Sequence, residues 1–242
     1  MGNIQGNVFF LFIFPFFFLI SCTSQPAGKV ILTGQLKNGS GEKLILSELD
    51  TKTINKIDSV TLDVKGSFQT KLAPSQPGFY LLQAASGKVM VLFIQPDDII
   101  RLQGDFTNFP DFVAIKSNRE AESLNDFFRF THRNERHVDS LENILVEHEG
   151  DPDYPELTQQ IDTVFKTIWD GQKRYEINYI NTHLSSLTSL IVINYAFGMN
   201  SVLGMEEDLP LYLKLDSSLI KLYPENKHVK FHHQRVMEHK KV

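Results

Sequence analysis

The chain has 242 residues, with 24 Lys and Arg against 29 Asp and Glu, a formal net charge of −5, and a single cysteine. One cysteine excludes an internal disulfide, a Cys-x-x-Cys redox pair and a thiolate zinc cluster, and the charges form no clustered basic face of the kind that nucleic acid requires. A chain of this length can bury a sizeable core without disulfide staples.

Met1 to Ser21 contains no charged side chain, and Val8 to Ile20 is a 13-residue apolar run broken only by Pro15. As a helix it spans roughly 20 Å against a hydrocarbon thickness of about 30 Å, which predicts a signal-peptide core and argues against a membrane-spanning helix. Leu19-Ile20-Ser21-Cys22 follows directly. It resembles the lipobox of bacterial lipoproteins: apolar first, small before the cysteine, cysteine at the cut. The resemblance implies removal of residues 1–21 and lipidation of Cys22, with each buried acyl methylene contributing about 0.8 kcal/mol to membrane affinity. The competing reading is a free thiol beside an ordinary cleavage site. Against the pattern, Met1 to Asn7 lacks the Lys or Arg with which export signals begin. Residues 22–28 are small and polar, without acidic side chains, and predict a short tether on a periplasm-facing protein.

From residue 29 to 116, short apolar or alternating segments recur between turn residues, the pattern of an all-β domain. Val30 to Leu36 and Lys43 to Leu49 flank Asn38-Gly39-Ser40-Gly41 and predict a hairpin; Ile57 to Val64 and Ser67 to Leu72 flank Lys65-Gly66 and predict a second. Phe79 to Gln83 and Lys88 to Ile94 predict a third around Ser86-Gly87, and Ile99 to Gly104 follows Pro96-Asp97-Asp98. Val89 to Ile94 is apolar throughout and predicts a central strand, whereas Lys56 to Val64 alternates and predicts one wet face. The expected architecture is an antiparallel β-sandwich or a barrel-like domain. Gly39 to Lys43 lacks the spacing of a phosphate-binding loop and precedes a strand where that motif needs a helix.

Residues 117–242 predict helices, with 14 basic and 20 acidic side chains. Ser117-Asn118-Arg119-Glu120 has the spacing of a capping box, and Leu124, Phe127, Phe128, Leu141, Ile144 and Leu145 extend an apolar stripe to the stop at Gly150 to Asp153. A second amphipathic run follows Pro155, a third covers Leu187 to Phe197, a fourth Leu211 to Leu222, and a last one Lys227 to His239. Strands followed by helices make an α+β chain.

This order of lipobox, β-rich segment and helical segment resembles the N-terminal half of the thioredoxin-like thiol:disulfide oxidoreductase envelope lipoproteins of the Bacteroidetes type. The matching positions are Gly34, Lys65-Gly66-Ser67-Phe68, Ser117 to Glu120, Ser185 to Leu190 and Tyr223-Pro224-Glu225-Asn226. In that family a β-domain of unknown function and a helical segment precede a catalytic thioredoxin-like domain. Thiol exchange requires a thiolate, and the one cysteine here is the lipidation candidate, so the resemblance implies the accessory module without its chemistry, either free-standing or truncated.

For a metal, His228 and His232 sit four apart on the last predicted helix and form the weak candidate pair, with His233 and His239 nearby. A solvated helix terminus explains the same residues. His132 and His137 are five apart and fall on different helical faces, Trp169 beside Ile168 predicts packing between helices, and there is neither a Gly-x-Ser-x-Gly elbow nor a His-Glu-x-x-His motif. The expected protein is therefore a lipid-anchored, non-enzymatic binding or positioning module without cofactor, pairing with itself or with an envelope protein. The alternative is a split or truncated part of an oxidoreductase, inactive by itself.

Overall fold

The computed structural model describes residues 28–198 and 200–240; the signal segment, Cys22 and most of the tether lie outside the described residues. The chain is α+β, with strands preceding helices. Strands β1 (Val30–Lys37), β4 (Ser67–Leu72), β7 (Ile99–Asp105) and β8 (Ala114–Lys116) form one sheet in the order β4-β1-β7-β8. The second sheet has the order β3-β2-β5-β6, from β2 (Lys43–Leu49), β3 (Ile54–Thr61), β5 (Gly78–Ala84) and β6 (Val89–Ile94).

Alternation along the strands sends one side-chain set inward. Val30, Leu32 and Leu36 of β1 join Phe68 and Leu72 of β4 and Ile100 and Leu102 of β7. They meet Leu44 and Leu46 of β2, Tyr80 and Leu82 of β5, and Met90, Leu92 and Ile94 of β6 in one cluster fed by both sheets. The opposite face of the second sheet is covered as well: Phe79 and Phe93 belong to the helical core with Phe127, Tyr179 and Leu215. The second sheet is thus the middle layer between the first sheet and the helices.

Three sequence expectations for the strands are corrected. The first two expected hairpins do not form, because β1 and β2 lie in different sheets, as do β3 and β4; the glycine-rich turns are crossings between layers. The two crossings brace each other through Gly41 N–H to Leu62 O at 3.1 Å, Leu62 N–H to Glu42 O at 2.8 Å and Leu36 N–H to Gly66 O at 2.8 Å. The sheets are not purely antiparallel either: β1 runs parallel to β7 from Ile31 beside Ile99 to Lys37 beside Asp105. Finally, β6 is an edge strand of its sheet. Its unbroken apolar sequence reflects burial by two layers, Met90, Leu92 and Ile94 toward the first sheet and Phe93 toward the helices. The β5–β6 hairpin forms as expected.

Helix α1 (Arg119–Glu147) begins one residue later than the capping-box reading. Asn118 is the cap, its Oδ1 accepting from Ala121 N–H at 2.9 Å, while Glu122 Oε1 accepts from Ser117 N–H at 3.1 Å. The reciprocal arrangement survives with its register moved by one and two residues. Helix α2 (Tyr154–Thr182) carries Pro155 in its first turn, where the missing N–H costs nothing. Between Asp139 and Gln160 no residue is buried, so the distal half of this antiparallel pair stands clear of the core. The helix expected over Leu187 to Phe197 is a single turn, α3 (Ser189–Val192), followed by the two-residue strands β9 (Ala196–Phe197) and β10 (Asn200–Ser201). Asn194 Nδ2 donates to Leu190 O at 2.8 Å and takes the acceptor that a continuing helix would use. Helices α4 (Leu209–Leu222) and α5 (Lys227–His239) form as expected. None of the described helices is long and apolar enough to cross a membrane.

Gly66 has φ +74°, and a Cβ there would lie 2.0 Å from Leu36 O, whereas Gly87 has φ +85° with open space around it. Gly87→Ala is expected to cost about 1 kcal/mol for backbone conformation alone, and Gly66→Ala at least about 2 kcal/mol more. Urea denaturation of both variants checks this; equal losses would mean that the crossing tolerates displacement.

Candidate functional site

A cavity of about 740 Å³ opens between α1, α2 and the β9–β10 turn. Helix α1 presents Glu135, Val138, Asp139 and Glu142, positions three, four and seven apart that share one face. Helix α2 presents Phe165, Lys166 and Trp169, and the short turn adds Phe197, Gly198 and Asn200. Trp169 and Phe197 meet edge to face with ring centroids 6.1 Å apart. The cleft is aromatic on one side and carboxylate-bearing on the other.

Its inner end is fixed by Tyr195, whose hydroxyl donates to Glu135 Oε1 at 2.6 Å and whose ring stands edge-on to Phe127 at 5.4 Å. Burial together with the Glu135 carboxylate pushes the Tyr195 phenol well above its ordinary value, so it remains a donor. Behind it a polar chain ties the two long helices. Asn134 Nδ2 donates to Gln172 Oε1 at 3.0 Å, and Gln172 Nε2 donates to Thr131 Oγ1 at 3.0 Å and Glu176 Oε1 at 2.9 Å. Glu176 is fully buried, and its Oε2 has no partner. Burial pushes the Glu176 carboxyl up to about 8, against the opposing pull of the Gln172 hydrogen bond and the Lys173 charge. Its proton therefore belongs to the folded state at neutral pH.

His228 and His232 do share one side of α5, where they line a groove of about 260 Å³ with Leu49, Phe79, Phe231 and Arg235. His228 stands edge-on to Phe79 at 5.0 Å, and His232 stacks on Tyr212 at 6.0 Å. Burial lowers both imidazole pKa values, with Lys227 adding to the effect at His228. Both sit against the protein core, where sequence reasoning offered a solvated terminus. Among the described residues no group of three or more His, Cys, Asp or Glu side chains is placed to hold a metal ion. The start of α5 is fastened instead by Lys227 Nζ, which reaches Glu48 Oε1 at 2.5 Å and Asp50 Oδ2 at 3.1 Å.

His132 is drawn to Asp111 Oδ1 at 2.9 Å alongside Arg136, while His137 is exposed. Trp169, expected between helices, is a half-buried wall of the cleft. Sequence reasoning missed, as site residues, the carboxylates 135, 139 and 142 and the aromatic pair 165 and 169; helical spacing is the signal each carries, and only the fold shows that they face each other. Phe197 carried no signal, since it lay inside a segment read as helix.

The Glu176 shift has a definite sign. Its folded value lies above the unfolded carboxyl range, so the protonated group's contribution is fully present below about pH 4.5 and is lost as pH rises toward about 8. Glu176→Gln, which keeps the shape and removes the titration, is expected to stabilise the fold at pH 8 by on the order of 2–4 kcal/mol while leaving pH 4.5 nearly unchanged. Thermal melts of both proteins across pH 4.5 to 8.5 check the divergence.

No protein-family model matches this chain, and no curated protein is similar to it in sequence.

Proposed function

We propose that this chain is a non-catalytic binding module, held at a bacterial membrane through lipidated Cys22 and facing the periplasm, with the cleft between α1 and α2 as its ligand site. The carrying observation is that cleft. Its volume of about 740 Å³ falls in the range of small-molecule sites, roughly 300 to 1,000 Å³, and its aromatic walls with a few convergent polar groups fit such a role. Among the described residues that line it there is no serine, threonine, cysteine or histidine, so these residues offer a surface for holding and no hydroxyl, thiol or imidazole for attack. Its charged groups sit on helices, which position side chains more firmly than loops.

The strand half serves as a scaffold, a two-sheet sandwich with open edges whose inner faces share one cluster. The resemblance to the N-terminal module of the thioredoxin-like envelope lipoproteins supports the same assignment, since that part of the family stands beside the catalysis. The Leu19 to Cys22 sequence supports the anchor.

Two measurements test this reading. The intact mass of membrane-extracted protein is expected to show a chain beginning at Cys22 and carrying acyl groups, both lost in Cys22→Ala. The chain's single tryptophan stands in the cleft, so the neutral dye N-phenyl-1-naphthylamine is expected to quench its emission saturably, with affinity reduced at least tenfold in Phe165→Ser. Unchanged emission on titration with the dye refutes the cleft as the binding site.

A further inference from the structure

The chemistry of the cleft wall selects among ligands. From the aromatic side formed by Phe165, Trp169 and Phe197 and the facing Glu135, Asp139 and Glu142, we infer that the cleft takes a small organic ammonium ion with an apolar body. This rests on the cleft being the binding site and goes further in naming the ligand class.

Ring faces carry negative potential, so an aromatic wall accepts a cation as well as an alkyl or aryl group, and distinguishes them only weakly by itself. The charges opposite decide the sign. Three carboxylates and one cation, Lys166, line the space. Glu135 is engaged by the Tyr195 hydroxyl. Asp139 and Glu142, in contrast, have no hydrogen-bond or ion-pair partner among the described residues.

Glu135 and Asp139 are four apart and Asp139 and Glu142 three apart, spacings at which like charges repel and lower helix stability. The cation closest to them along α1, Arg136, is drawn away to Asp111 Oδ2. This face of α1 therefore holds a local conflict that Lys166 alone offsets across the cleft and that a further cation would relieve, at the place where a cavity of small-molecule size opens. An anionic ligand would deepen the conflict, and a neutral one would leave it as it is.

The test uses one skeleton with three head groups: phenethylammonium, phenethyl alcohol and 3-phenylpropanoate, each titrated against the full mature chain with the emission of Trp169 as readout. The ammonium is expected to bind at least tenfold more tightly than the alcohol, and the carboxylate more weakly than either. Raising the salt concentration narrows the gap. In the double variant Asp139→Asn, Glu142→Gln the preference is expected to fall to twofold or less, while quenching by the neutral dye persists and shows that the cleft is intact. An alcohol that binds as tightly as the ammonium, or a preference that survives the double substitution, overturns the ligand class and leaves the cleft assignment standing. Failure of all three probes with the dye still bound does the same, whereas failure of the dye as well overturns both.

Discussion

The structure depends on burial of the β3-β2-β5-β6 sheet from both sides. Leu82, Leu92 and Ile94 face the first sheet, while Phe79 and Phe93 face the helices, and each of these side chains is at most 1% exposed. Removing either aromatic side chain would cost about 3–5 kcal/mol, a large part of a typical domain's net stability. A sheet with two apolar faces has no stable form with one of them in water, so the strand half and the helical half of the chain hold each other in place. The helices consequently have a fixed platform, and α5 is fastened to it at its start by Lys227 on β2 and by Asn226 Nδ2 donating to Pro77 O at 2.8 Å.

On that platform the two long helices are not joined by apolar packing alone. Phe127 and Tyr175 stack at 6.0 Å, but the next turns are joined by the chain from Asn134 through Gln172 to Thr131 and Glu176. Apolar ridges tolerate a slide of one helix along the other; a buried amide with its partners in place does not. The orphan Oε2 of Glu176 is tolerated because protonation removes the charge. What this polar chain secures is the relative position of α1 and α2, and therefore the opposition of Asp139 and Glu142 to Phe165 and Trp169.

Sequence periodicity found the helices α1, α2, α4 and α5 because each has one apolar face, and found β5 and β6 because their turn at Ser86-Gly87 is short and local. It failed where glycine had two readings. Asn38 to Gly41 and Lys65-Gly66 carry hairpin chemistry, yet the strands they join face one core from opposite sheets, and turn residues alone cannot tell a reversal within a sheet from a step between sheets. It failed again at β6, whose apolar run was read as lateral centrality when its cause was vertical burial. At α3, Leu187 to Phe197 has helical apolar spacing, but the buried hydroxyls of Ser186, Thr188 and Ser189 bond among the residues that lead into it, and the amide of Asn194 takes the Leu190 carbonyl that a second turn would use. The histidines of α5 were found as a pair, with their burial hidden because it comes from other elements, Phe79 of β5 against His228 and Tyr212 of α4 against His232.

The order of layers also bears on how a tethered protein would present its site. The first described residue, Gly28, is held by Asp97 Oδ1 and lies near Pro74, at the end of the first sheet where β1 begins and β4 finishes. Under the proposed anchor at Cys22, the chain would therefore enter the body at the first sheet. The cleft is built on α1 and α2, so the proposed attachment and the proposed site belong to different elements of the fold. An organic cation approaching the cleft would meet the field of Asp139 and Glu142, and the acidic balance of the helical half, 20 acidic against 14 basic side chains, would steer it in the same sense.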